Sequence, residues 1–307
     1  MSRVSIIGSG NVGANAAFFI AEKGVTDVLL IDVKQGLSRG KALDIMEAAP
    51  IRRYRNSLVG SDTVADIQGS QMVVIAAGAI RSPGMRREDL YGENAPVIEA
   101  LAPQVARLAP DSVVVMATEP VDSLTALFTL RSGMPRTRVL GLGGILDSMR
   151  LRALISRELD VSMEIVSALV IGRHSDDMVC LPRYCSVSGV PLPQLLPPER
   201  IAAVISETRS AGDLVVELAK RSSAYYAPSA AIAELADSVH MNLSRIFPVS
   251  LMLEGEYGLR DAALSVPAIV GEKGVTKILT PELTREEKEA LAQSARLIAS
   301  VVRGGAA

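Results

Sequence analysis

A strand that runs straight into three spaced glycines leaves a chain few folds to choose from. Val4-Ser-Ile-Ile is β-prone, and Gly8, Gly10 and Gly13 follow as G-x-G-x-x-G. Ala14, Ala17, Phe18, Ile20 and Ala21 then repeat with the spacing of a buried helix face. Strand, glycine turn and helix N-terminus together make a pyrophosphate site. Gly8 allows the turn, Gly10 lets the backbone approach phosphate oxygens, and Gly13 lets the helix pack close to the strand. Around Ser9, Asn11 and Val12, free N–H groups and the positive end of the helix dipole meet the anion. A glycine triplet alone also fits an ordinary tight turn, so its context decides. The apolar run 28–31 ends in Asp32, about 20 residues past Gly13, where dinucleotide sites carry the acid that binds the ribose hydroxyls. An acid there selects NAD over NADP, because a 2′-phosphate would meet a negative charge.

The 307 residues suffice for two domains of ordinary size, and 49% hydrophobic against 21% charged residues gives ample core and argues against disorder. No apolar run approaches a membrane span, and the chain enters its first strand at once, so no signal peptide is expected. A net charge of −2 gives no basis for nucleic-acid binding. Cys180 and Cys185 have no nearby Cys or His partners, and read as reduced thiols of a cytoplasmic protein rather than as a metal site or disulfide.

Strand and helix patterns alternate through the first half. Strands are expected at 28–32, 58–60, 72–76, 113–117 and 139–142, with helices at 36–49 (stopped by Pro50), from the loop after Leu90 to about 108, and at 122–131. Gly143-Gly144 reads as punctuation. Such βα repeats imply an α/β fold, a doubly wound Rossmann sheet whose ligand lies at the strand C-termini. After Leu146 the pattern becomes α+β: a helix at 147–159, a strand at 165–172, helices at 201–222 and 228–239, and strands at 244–254 and 263–270. Thr284-Arg-Glu-Glu287 is a capping box opening a last helix to about 302. The boundary is therefore placed between a nucleotide-binding domain, 1–146, and a substrate domain, 147–307, with active residues where they meet.

There are two histidines. His240 lies in a helical stretch and reads as a surface or partly buried residue. His174 follows an apolar strand, where a histidine beside a cofactor cleft can serve as general acid/base; a lone loop histidine is more often merely exposed. Leu146-Asp-Ser-Met-Arg150 supplies company: a carboxylate to orient an imidazole, with an arginine three residues on along the same helix face. The bland alternative makes Asp147 a helix N-cap and Arg150 a surface residue.

Taken with Gly40-Lys-Ala-Leu-Asp44, Arg81-Ser-Pro-Gly-Met-Arg-Arg-Glu-Asp-Leu90, His174-Ser-Asp176, Tyr225-Tyr-Ala-Pro228 and Gly258-Leu-Arg-Asp261, these motifs make the sequence resemble the lactate/malate dehydrogenase family over essentially its whole length. Its lactate-dehydrogenase-like malate dehydrogenase branch is the nearer match. The resemblance implies hydride transfer between NADH and a 2-oxo acid, with His174, held and made more basic by Asp147, moving the proton. It implies that Arg150 clamps the 1-carboxylate, and that Arg87, on a mobile loop, polarises the ketone. Arg81 falls where malate enzymes carry the arginine for a second carboxylate and lactate enzymes usually have glutamine. Asn94 matches a cofactor contact, and the backbone at Ala117, Thr118 and Glu119 is expected beside the nicotinamide. By resemblance the protein is a homodimer or homotetramer acting on a small 2-oxo or 2-hydroxy dicarboxylate, without metal.

Three features depart from the family pattern. Its Asn-Pro after the strand at 113–117 is Glu119-Pro120 here, Ser175 replaces the glycine after the histidine with Arg173 before it, and Ser82 and Arg86 alter the loop. The asparagine would donate to the substrate, whereas an ionised glutamate only accepts. At about 4 Å from a substrate carboxylate it would repel by about 4 kcal/mol at an effective dielectric of about 20, close to three powers of ten in binding. Three readings stay open: Glu119 pairs with Arg86 or Arg87, it accepts from a donor on a different acid, or the site binds NAD without turnover.

Overall fold

A computed structural model describes residues 3–81, 84–220 and 224–304; Ser82, singled out in the loop, and the expected end of the 201–222 helix lie outside them. The first half runs β1 (Arg3–Ile7), α1 (Asn11–Lys23), β2 (Asp27–Ile31), α2 (Leu37–Glu47), α3 (Ala49–Arg52), β3 (Leu58–Ser61), β4 (Met72–Ile75), α4 (Tyr91–Leu108), β5 (Val113–Met116), α5 (Val121–Ser132) and β6 (Val139–Gly141). β1 to β6 are all parallel neighbours in the order 6-5-4-1-2-3. β4 and β5 are buried at every position, as strands covered by helices on both faces must be. Strand order reverses between β1 and β4, and a crevice at the C-terminal ends of such a pair is where a doubly wound sheet binds ligands.

The second half adds α6 (Gly143–Leu159), β7 (Val166–Ser167), β8 (Val170–Ile171), β9 (Val179–Cys180), β10 (Ser186–Val187), β11 (Val190–Pro191), α7 (Leu192–Leu195), α8 (Pro198–Ala219), α9 (Tyr226–His240), β12 (Arg245–Glu254), β13 (Arg260–Gly271), β14 (Gly274–Ile278) and α10 (Arg285–Gly304). β12, β13 and β14 form an antiparallel meander that extends the parallel sheet by pairing Ser250 with Gly141, giving nine strands in all among the described residues. The mixture is the expected α/β Rossmann sheet followed by an α+β half. The capping box closes reciprocally, Thr284 N–H donating to Glu287 Oε2 at 2.8 Å and Glu287 N–H to Thr284 Oγ1 at 3.3 Å. Cys180 and Cys185 are both buried free thiols.

Several expectations on local structure fail for identifiable reasons. Pro50 is the second residue of a further turn, α3, because proline in the first turn of a helix loses no hydrogen bond. The strand expected at 165–172 divides into β7 and β8, which pair in different small sheets. Gly143-Gly144 is no break but the first turn of α6. A Cβ on Gly144 would stand 2.7 Å from the Ser265 side chain, so the glycines are there for close packing against β13.

The glycine turn follows the expected logic most strictly at Gly13, where a Cβ would lie 1.9 Å from the Gly8 carbonyl oxygen. No rotamer relieves a clash with backbone. Gly13→Ala is therefore expected to destabilise the protein by about 3 kcal/mol or more, read by urea unfolding, and to weaken NADH binding at the same time. Unaltered stability would mean that α1 can shift without cost.

Candidate active site

Two cavities meet at the C-terminal edge of the parallel strands. The larger, about 780 Å³, opens beyond β1 and β2, and Gly8, Gly10, Asn11, Val12 and Asp32 are among the residues that line it. The Cβ position of Gly10 faces open space, so backbone N–H groups at the start of α1 are accessible to an anion. Asp32 is oriented by two backbone donors, Ser9 N–H to Oδ2 at 2.8 Å and Lys34 N–H to Oδ1 at 3.0 Å. Ser9 and Gly13 stand behind the wall rather than in it: both are buried, and the Ser9 hydroxyl donates to the Ile31 carbonyl. An anion cradle and a fixed acid at the end of β2 fit the two ends of an adenosine pyrophosphate.

The smaller cavity, about 130 Å³, holds the groups with acid–base chemistry: Arg81, Arg87, Glu119, Arg150 and His174 all line it. His174 follows β8, and its Nδ1 lies 2.7 Å from Asp147 Oδ2. Asp147 is not an N-cap. It sits one turn into α6, only 1% exposed, because the helix begins at Gly143. Its other oxygen lies 3.1 Å from Arg150 Nη1, so one carboxylate fixes both the imidazole and the guanidinium. Arg150 is accordingly a pocket residue, not a surface one. His240, by contrast, is half-buried at the end of α9 and lies 3.0 Å from Gln71 Oε1.

Glu119 supplies the main surprise. Its Oε1 is 3.3 Å from His174 Nε2 and 3.6 Å from Arg87 Nε, while Oε2 accepts from Val121 N–H at 3.3 Å. Arg87 was one expected partner; Arg86 instead pairs with Asp89. Burial pushes the Glu119 carboxyl up, but the nearby imidazolium and Arg87 outweigh it and hold the group down at about 2. Burial likewise pulls His174 down, yet Asp147 and Glu119 on opposite ring nitrogens raise it to about 9. The Glu119-Pro120 peptide is cis.

Two further groups hold the frame. Asn94, which by resemblance contacts the cofactor, is wholly buried. It donates to the Glu119 carbonyl at 2.7 Å and accepts from Ala79 N–H at 2.7 Å, tying the loop after β4 to the loop after β5. Ala117 and Thr118 line the small cavity, and the Thr118 hydroxyl donates to the Ala77 carbonyl at 2.8 Å. Asp122 escaped the sequence reading. It accepts from His174 N–H at 2.7 Å, and burial raises its carboxyl to about 6. The available signal was its place two residues after Pro120. At the departures near His174, Ser175 is buried and its hydroxyl reaches Asp176, while Arg173 pairs with Glu88 and with Asp177.

A dinucleotide cavity opening beside a carboxylate-held histidine and three guanidiniums defines a nicotinamide-dependent oxidoreductase of small carboxylic acids. The comparisons say which kind. Family models of the lactate/malate dehydrogenase NAD-binding domain and α/β C-terminal domain match residues 2–141 and 145–307. The chain belongs to the lactate/malate dehydrogenase family. It is 42% identical to a malate dehydrogenase of Desulforudis audaxviator over 98% of both chains. Its structure matches the malate dehydrogenase of Cryptosporidium parvum with a TM-score of 0.97 at 31% identity, covering 99% of each chain. The lactate dehydrogenase of the same organism, solved with lactic acid and nicotinamide adenine dinucleotide, matches at 0.95 and 32% identity over 99% of this chain and 98% of that one. Fold alone thus does not separate the two substrates.

The Glu119–His174 contact gives a testable titration. With its folded pKa raised above the ordinary 6.5, His174 contributes stability in full below pH 6.5, and that contribution is lost as pH rises through about 9. Glu119→Gln removes one of the two anions, and is expected to lower the His174 midpoint by about one unit or more, read from the imidazole NMR resonances. An unmoved midpoint would leave Asp147 as the sole cause of the shift.

Proposed function

We propose that the chain is an NAD-dependent malate dehydrogenase, interconverting oxaloacetate and malate by reversible hydride transfer. The observation that carries this reading is the convergence of Arg81 with the Asp147–His174 pair, Arg87 and Arg150 in one cavity. The identity to a protein named malate dehydrogenase supports it. Arg150, aligned by Asp147, would take the 1-carboxylate bidentately and fix the ketone carbon. Arg87 would stabilise negative charge developing on the ketone oxygen, and Arg81 would hold the distal carboxylate. When bound, the nicotinamide supplies or accepts the hydride at the substrate carbon. His174 gives up the Nε2 proton during reduction and takes it back during oxidation, while Nδ1 stays with Asp147.

The boundary at 146/147 belongs to the same proposal, as does assembly as a homodimer or homotetramer in the cytoplasm. No helix among the described residues is long and apolar enough to cross a membrane.

Glu119 favours a second reading. A carboxylate at His174 Nε2 faces the atom that must reach the substrate, and would suit a 2-hydroxy acid bearing a hydrogen-bond donor. NADH oxidation with oxaloacetate, pyruvate and a panel of other 2-oxo acids separates the two. Oxaloacetate is expected to be the best substrate, with His174→Asn slowing turnover by about a thousandfold and Arg81→Gln shifting preference towards pyruvate. A preference for an acid with a distal donor would favour the second reading. NADH binding without any turnover would leave only a nucleotide-binding protein.

A further inference from the structure

Arg81 is already engaged. Its Nη1 lies 2.7 Å from Asp213 Oδ1, and its Nη2 donates to the Gly212 carbonyl at 3.2 Å, so both arms of the guanidinium fork meet a single turn of α8. The same Asp213 oxygen is 4.0 Å from Arg87 Nη1. The Arg81 side chain is 9% exposed and that of Asp213 61%, which places the arginine in the wall and the carboxylate at the rim. Gly212 on the same turn faces the other two guanidiniums. A Cβ there would lie 2.5 Å from Arg87 Nη2 and 3.3 Å from Arg150 Nη1, so a larger residue would displace the tip of the Arg87 side chain. The result is a carboxylate carried by the protein onto the arginine that faces the far end of the substrate pocket.

We infer that Asp213 is a specificity-determining residue, an internal carboxylate that competes with the distal carboxylate of a dicarboxylic substrate for Arg81. The inference rests on the proposal that Arg81 meets that distal group. A dicarboxylate must displace Asp213 into water, which its exposure at the rim permits. A monocarboxylate of the same backbone leaves the Arg81–Asp213 pair intact. The penalty therefore falls on the dicarboxylate alone and narrows the discrimination that a free arginine would give. Glu119 has no such selectivity, because it faces His174 and Arg87, the groups that both substrate types must use. Asp213 left no trace in the sequence: it lies 132 residues from Arg81 on a helix face, as solvent-exposed carboxylates ordinarily do.

The test measures binding, so it does not depend on turnover. L-malate and L-lactate are titrated into the full-length protein saturated with NADH, where both partners are reduced and no hydride moves, and NADH fluorescence reports each Kd. Asp213→Asn is expected to tighten malate by about tenfold or more relative to lactate, while Asp213→Glu keeps the ratio near that of the unsubstituted protein. A preference for malate, taken as the Kd of lactate over that of malate, that stays the same or falls in Asp213→Asn, with NADH affinity retained as the sign of an intact fold, overturns the inference. Arg81→Gln in the same titration separates the two failures. If it weakens malate relative to lactate while Asp213→Asn has no effect, the role of Arg81 stands and that of Asp213 falls. If it too has no effect, both fall.

Discussion

The site depends on a single buried carboxylate. Asp147 is 1% exposed, and a charge so far from water persists only when it is paired and hydrogen-bonded. It has two partners, His174 on one oxygen and Arg150 on the other. One residue therefore orients the imidazole and raises its basicity, and fixes the direction of a guanidinium as well. Everything around it serves to keep that arrangement in register: α6 starts close against β13 through Gly143-Gly144, Asp122 holds the His174 backbone, and Asn94 fixes the loop that carries Glu119.

On that frame the pocket balances its charges more closely than the arginine motifs suggest. Arg81, Arg87 and Arg150 supply three positive groups, and Glu119 and Asp213 return two negative ones. The Coulomb repulsion that an isolated Glu119 would impose on a substrate is blunted, because the carboxylate already faces an imidazole and a guanidinium. The same pairing makes His174 hold its proton to higher pH. Anions at both ring nitrogens keep the imidazole protonated over a wider pH range and make it a stronger base and a weaker acid than a free histidine.

Much of this was legible from residues alone. The glycine turn, the acid ending β2 and the βα alternation are local patterns with few physical solutions, and the nucleotide half of the fold appears where they place it. The pair of Asp147 and His174 was legible because an acid, an arginine three residues on and a strand-end histidine each have one obvious use in a cleft. Errors clustered where meaning is not local. Gly143-Gly144 looks like a break when only chain conformation is weighed, and becomes a helix start once Ser265 is seen packed against it. That the Asn94 amide ties two loops together is likewise visible only in three dimensions.

The sequence by itself determined the fold class, the nucleotide turn and the residue types available for proton and carboxylate chemistry, since these follow from backbone periodicity, glycine geometry and side-chain chemistry within short windows. Only the tertiary structure decided how the charges pair. Whether Glu119 meets Arg86, Arg87 or an imidazole depends on the direction in which the loop after β5 turns, and that direction is set by Asn94, 25 residues away. Asp213 reaches Arg81 because α8 packs against the loop after β4, where Arg81 also donates to the Gly212 carbonyl. Electrostatic partners are chosen by distances of a few ångströms between elements far apart in the chain, and no local pattern encodes those distances.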